Sequence, residues 1–128
     1  MDKNYIIKVK RELTNIKKYA TEEELGQLDF NTLDPYIFYG CIYGQMAKNC
    51  YSERAKELIS LCCNTKTSFS NVAGEDCRLI NDKPRLKNGH STGHTYVEHF
   101  IIHHKEYNEH IIDFLKGETD KLIIKAIV

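Results

Sequence analysis

The sequence predicts a mainly α protein, a compact bundle of four to five helices interrupted by one long irregular loop. Three observations lead there. Apolar residues recur at helical spacing near both ends of the chain, as Tyr5, Val9, Leu13, Ile16 and Ala20, and again from Tyr96 to Leu115. Side-chain oxygens suited to N-caps stand just ahead of the apolar runs, at Thr21, Asp34, Ser52 and Thr95. A polar stretch rich in Thr, Ser, Asn and Gly separates the two helical parts at 64–94. The expected organisation is a single domain over 1–128, with a helical core from 1–63 and 95–117, a long loop 64–94 and a tail 118–128. A small β-hairpin in the loop and a C-terminal strand are the β elements the pattern admits.

Residues 1–20 place six basic groups against Asp2 and Glu12, a net of +4. Lys8, Lys10, Arg11, Lys17 and Lys18 spread around the surface that the apolar stripe leaves open. Such a run ordinarily marks a solvated helix, and a phosphate-contacting helix is the functional alternative. A strand over the first residues, NYIIKVK, is the structural alternative. Residues 21–34 reverse the sign to −5, with Glu22, Glu23, Glu24, Asp29 and Asp34 and no basic residue. Thr21 and Glu24 have the spacing of a capping box, and acids in a first turn suit the helix dipole. The positive and negative blocks are placed to pair across the intervening turn.

The most apolar stretch is Pro35–Ala47, PYIFYGCIYGQMA, in which Gln45 is the one strongly polar residue. Asp34 as N-cap and Pro35 at the first helical position predict a helix through it, with a glycine-broken strand at Tyr36–Tyr43 as the competitor. On a helix, Gly40, Gly44 and Ala47 share a stripe beside Tyr36 and Tyr43, with Phe38, Ile42 and Met46 behind. Two interior glycines, each costing about 1 kcal/mol, call for a close backbone approach along Gly40 and Gly44. If that groove is filled from within, the segment is core. If not, Tyr36, Gly40, Tyr43 and Gly44 are interface residues for a partner or a second copy. Asn49 then ends this helix, and Ser52 caps the next, Glu53–Cys63, which turns Ala55, Leu58, Ile59 and Cys62 inward; the two form a helical hairpin.

Within 64–94, Cys77 to Lys87 reads as strand, turn, strand, with a basic tip at Lys83, Arg85 and Lys87. A long helix over 95–116 follows, with Thr95 and Glu98 as a second capping box and Gly117 as its stop. Leu122–Val128 is a β-branched run that suits a strand or a last core helix.

Bulk properties narrow the function. Lys+Arg and Asp+Glu both number 18, so no global field draws nucleic acid or an anionic membrane. No apolar run approaches the roughly 20 residues of a membrane helix, and MDKNYIIKVKREL lacks the features of a signal peptide. A cytoplasmic protein with no membrane partner is expected. Five cysteines, an odd number, fit buried free thiols in a reducing compartment.

All six histidines lie between residues 90 and 110. His99 and His103, at i and i+4, are the weak candidates for metal ligands, and His99, His103, Glu106 and His110 share a polar arc of the 95–116 helix. His99 and His110 stand about 16 Å apart along a helix, too far for one ion. Completing a site would take His90, His94 or a cysteine, and the spacing matches no standard zinc pattern. His104 falls on the apolar face as a core histidine. A nucleophilic Cys77 beside His90 or His94, oriented by Asp113, has no local motif to fix it. No phosphate-binding glycine loop, no HExxH and no nucleic-acid module signature occurs. The reading leans away from an enzyme, with no catalytic residue and no cofactor.

Cys41-Ile-Tyr-Gly-Gln-Met46, Asn49-Cys-Tyr-Ser-Glu-Arg-Ala55 and the ending Phe114-Leu-Lys-Gly117 resemble small uncharacterised proteins of Bacteroidetes and their phages. The resemblance implies no activity and no functional residues, but it implies an accessory or mobile-element setting. The leading expectation is a non-enzymatic protein-binding protein that occupies a surface of a larger protein or ribonucleoprotein, in its sharpest form an anti-CRISPR-like inhibitor of a bacterial defence complex. Eight tyrosines, a residue type enriched at interfaces, support it. An RNA- or DNA-contacting module built on the basic residues of 8–18 and 83–87 is the alternative, and a histidine-dependent metalloprotein is the second.

Overall fold

The computed structural model describes residues 3–35, 37–63 and 95–124. The expectations for the loop lie outside them, including the hairpin at 77–87, Lys83, Arg85, Lys87, Cys77, His90 and His94. So do Tyr36 and the tail from 125 onward. Among the described residues the protein is mainly α, with six α-helices and two 3-10 turns.

Helix α1 (Lys3–Tyr19) is the element on which the others pack. Its 17 residues run about 25 Å, and no strand forms at its start. Ile6, Val9, Leu13 and Ile16 form a buried stripe against helix α4 (Glu53–Cys62), helix α5 (Tyr96–His103) and helix α6 (Asn108–Leu115). Each such side chain contributes about 2 kcal/mol on removal from water. Lys17 and Lys18 in the last turn complement the helix dipole.

Helix α2 (Glu22–Gly26) carries the expected capping box. Thr21 Oγ1 accepts from the Glu24 amide at 3.0 Å, and Glu24 Oε1 accepts from the Thr21 amide at 2.9 Å. The acids here do not pair with α1 as the charge blocks suggested. Glu24 instead takes the Arg54 guanidinium of α4, with Nε 2.8 Å from Oε2 and Nη2 2.9 Å from Oε1.

The helix expected from Pro35 begins seven residues later. A closed turn links Asp34 to residues 37–41, in which the Asp34 amide donates to Gly40 O and the Gly40 amide to Ile37 O, both at 2.9 Å. Helix α3 (Ile42–Ala47) then starts from Cys41, whose Sγ accepts from the Gly44 amide at 3.3 Å. The cause is long-range. The Phe38 carbonyl is taken by the Cys50 amide at 2.8 Å, which holds the turn against the segment after α3 and out of the helix. The glycines do answer a close backbone approach, but from this turn and not from another helix. A Cβ on Gly44 would lie 2.3 Å from Phe38 O, and one on Gly40 2.9 Å from Asp34 O.

Lys48, with φ 75°, ends α3, and Asn49 Oδ1 accepts from the Tyr51 amide. Ser52 caps α4 as expected, its Oγ 3.1 Å from the Ala55 amide, and Ala55, Leu58, Ile59 and Cys62 are buried. Asn15 of α1 closes the other end by donating to Cys62 O at 2.9 Å.

The single helix over 95–116 is two helices. At His104 the backbone turns to φ −133° and ψ 60°, a 3-10 turn covers Lys105–Tyr107, and α6 begins at Asn108. The Ile101 carbonyl, which a continuous helix would give to Lys105, accepts from Asn108 Nδ2 at 3.3 Å. That is the local competition by which Asn side chains interrupt helices. Helix α5 is buried nearly all round, from Val97 to Ile102, as befits a central helix. The Gly117 stop is as expected: φ is +81°, and the Glu118 amide reaches back to Asp113 O at 2.8 Å. The described part of the tail, to Ile124, is neither strand nor helix, although Ile124 is buried.

Candidate interaction surfaces

Glu12, counted in the sequence only toward the charge of residues 1–20, lies in the core at 2% exposure. Tyr43 of α3 donates to its Oε2 at 2.6 Å, and the Val97 amide at the start of α5 donates to its Oε1 at 3.1 Å. Burial pushes the carboxyl above its usual range, opposed in part by these donors and by Thr95 and Cys63. The same burial drives the Tyr43 phenol well up. The acid therefore joins three helices and faces no solvent from which a substrate could reach it. Sequence reasoning missed it, yet the signal was present. Position 12 is i+3 from Val9 and i−4 from Ile16, inside the apolar arc.

A second buried polar group lies on the other side of α3. Cys41 and Cys50 are closed to solvent and adjacent, with Glu98 of α5 beside them, and burial drives the Cys41 thiol well up. Glu98 is thus a core residue, and Thr95 caps α5 through the Glu98 amide at 3.3 Å. Cys62 is pushed up to about 12, mainly by burial. These thiols sit at the inert end of cysteine reactivity.

Among the described histidines, His99 and His103 lie together, while His104 and His110 serve other contacts. His99 is buried and its ring centroid lies 4.5 Å from that of exposed His103. His104 is half-buried over the Phe100 ring, and desolvation holds its pKa below the usual histidine value. His110 Nε2 accepts from the Ile123 amide at 2.8 Å, so it fastens the tail. Among the described residues, no three His, Cys, Asp or Glu side chains are grouped to hold a metal ion.

Of the expected interface residues, Tyr43, Gly40 and Gly44 are buried inside the fold. Within 37–47 the aromatic residue turned outward is Tyr39, at 54% exposure, in T-shaped contact with Phe38. It lines a groove of about 490 Å³ between α2 and α3, with Glu23, Glu24, Gln27, Gln45, Met46, Lys48 and, of the expected interface residues, the backbone of Gly44. Gln45 is fixed there: Oε1 accepts from the Asp29 amide at 3.0 Å, and Nε2 donates to Asp29 O and Thr32 Oγ1. That places the 3-10 turn of Phe30, itself 40% exposed, next to α3.

The basic residues of α1 are on the outside, with Lys8, Arg11 and Lys18 exposed and Lys10 and Lys17 half-buried. Three of them lie over rings: Lys8 5.0 Å from the Tyr96 centroid, Lys17 4.4 Å from Phe114 and Lys18 5.1 Å from Tyr19. Lys8 also donates to Tyr96 OH at 3.0 Å. No helix among the described residues is long and apolar enough to cross a membrane. No family model, curated protein or solved structure matches the chain.

Proposed function

We propose that the protein is a non-enzymatic, cytoplasmic binding protein that occupies a surface of a larger protein or ribonucleoprotein, and that the groove between α2 and α3 receives a cationic segment of that partner. The observation that carries this reading is the groove's wall chemistry. Glu23 is exposed, Lys48 stands on the same lining, and Tyr39 offers an exposed ring to a guanidinium or ammonium group. Gln27 supplies an exposed amide for an extended backbone, while the Gln45 amide is already held by Asp29 and Thr32 and shapes the wall. Glu24 already demonstrates the recognition on its inner side, where it grips Arg54 with both carboxylate oxygens. An inhibitor of a bacterial defence complex is the narrowest form of the proposal; the resemblance to phage-borne proteins and the small size support it.

The test is affinity purification from the native host with wild type and the Glu23→Lys/Tyr39→Ala variant, quantified by mass spectrometry. One complex enriched by wild type and lost with the variant is the expected result. Equal recovery by both proteins contradicts the assignment of the groove.

A further inference from the structure

The outer face of α1 carries charge of one sign. Glu12 is the only acid in Lys3–Tyr19, and the fold removes it to the core, where Tyr43 and Val97 hold it. What remains outside is Lys8, Lys10, Arg11, Lys17 and Lys18, in a chain whose formal net charge is +0. Among the described residues Arg54 and Lys56 pair with Glu24, Glu57 and Glu53, and Lys10, Arg11, Lys17 and Lys18 enter no ion pair.

The spacing is regular. Lys10 and Lys17 are seven residues apart, as are Arg11 and Lys18, so two adjacent rows each separate their charges by about 10.5 Å along the axis. The two rows from Lys10 to Lys18 cover about 12 Å of axis, and Lys8 lies on the opposite flank of the helix from Lys17, against Tyr96. Ring contacts with Phe114 and Tyr19 restrain Lys17 and Lys18, so less rotamer entropy is lost on binding.

We infer that the outer face of α1 binds the phosphodiester backbone of nucleic acid without reading sequence. A membrane surface fits less well. An interfacial helix must offer an apolar face to lipid, and here Ile6, Val9, Leu13 and Ile16 face inward, leaving Ile7 and Tyr19 exposed, twelve residues apart. The face shares no residue with the groove between α2 and α3, so the two proposals fail separately.

The experiment is fluorescence anisotropy with labelled probes of about 20 nucleotides or base pairs (duplex DNA, duplex RNA and single-stranded RNA) as NaCl rises from about 50 to 300 mM. Polyglutamate and phosphatidylserine vesicles serve as other polyanions. Four neutralised phosphates predict a log–log salt slope of about −3 to −4 on duplex DNA. Arg11→Gln/Lys18→Gln should lower that slope by about two and weaken binding at least tenfold, with an unchanged thermal melt. Lys105→Gln/Lys121→Gln, exposed bases elsewhere, should leave binding as in wild type. The strongest probe identifies which nucleic-acid form is held. No binding at the lowest salt, the same slope in Arg11→Gln/Lys18→Gln, or equal affinity for polyglutamate or vesicles overturns the proposal.

Discussion

Tyr43 donates its phenolic proton to Glu12 across 2.6 Å, between two helices and closed to solvent. A carboxyl in that position is favourable only while its donors stay in place, because a buried acceptor left short costs more than an average hydrogen bond contributes. Tyr43→Phe keeps the ring and removes one donor. It should lower the unfolding free energy by about 1–3 kcal/mol, read from urea titration. A loss near zero would mean that the pair is not part of what holds α1 to α3.

The pH dependence has two opposite components. Burial raises Glu12, so folding favours its protonated form. Its contribution is complete below the ordinary value of 4.5 and is lost as pH rises through the folded-state value. Arg54, by hydrogen bonding, lowers Glu24, whose contribution is present above 4.5 and lost as pH falls through its folded-state value. Urea midpoints collected across acid and neutral pH should show Glu24→Gln flattening the acid limb. Glu12→Gln should flatten the decline on the other side. An unchanged profile in either variant contradicts the corresponding assignment.

Glycines 44 and 26 should respond in opposite directions. Gly44→Ala places a methyl 2.3 Å from the Phe38 carbonyl, which is backbone, and should cost about 1–3 kcal/mol. Gly26→Ala meets nothing within 4 Å at the end of α2 and should gain about 0.5 kcal/mol. Thermal melts of the two variants decide it.

Lys48 occupies a left-handed conformation, φ 75°, just after α3. A side chain there costs about 1 kcal/mol, and Lys48→Gly should recover much of it. A lower melting temperature in that variant would show that the Lys48 side chain contributes contacts that outweigh the strain.

The helices that carry their own signals were legible in the sequence. The stripe of α1, the oxygens of Thr21, Ser52 and Thr95, and the Gly117 stop are local features, and each marks an element where the structure has one. The misreadings occur where distant groups decide. Asp34 and Pro35 form a sound helix start in isolation, but the Cys50 amide takes Phe38 O and moves the start to Cys41. The break at His104 rests on Asn108 reaching Ile101 O, seven residues away. Glu12 was half legible: its place on the apolar arc could be read, and its partner on α3 could not. The groove could not be read at all, since α2 and α3 meet only through tertiary contacts that turn Tyr39 outward and Tyr43 inward.

The most direct test of the binding account is selection of random dodecapeptides on immobilised wild-type protein, followed by titration of the selected peptides against wild type and Glu23→Lys/Tyr39→Ala. Selected peptides should be enriched in Arg and Lys, and the double variant should weaken them at least tenfold, the scale of about 1.4 kcal/mol. Peptides without cationic enrichment, or cationic peptides held equally by both proteins, would contradict the claim that this groove is where a partner docks.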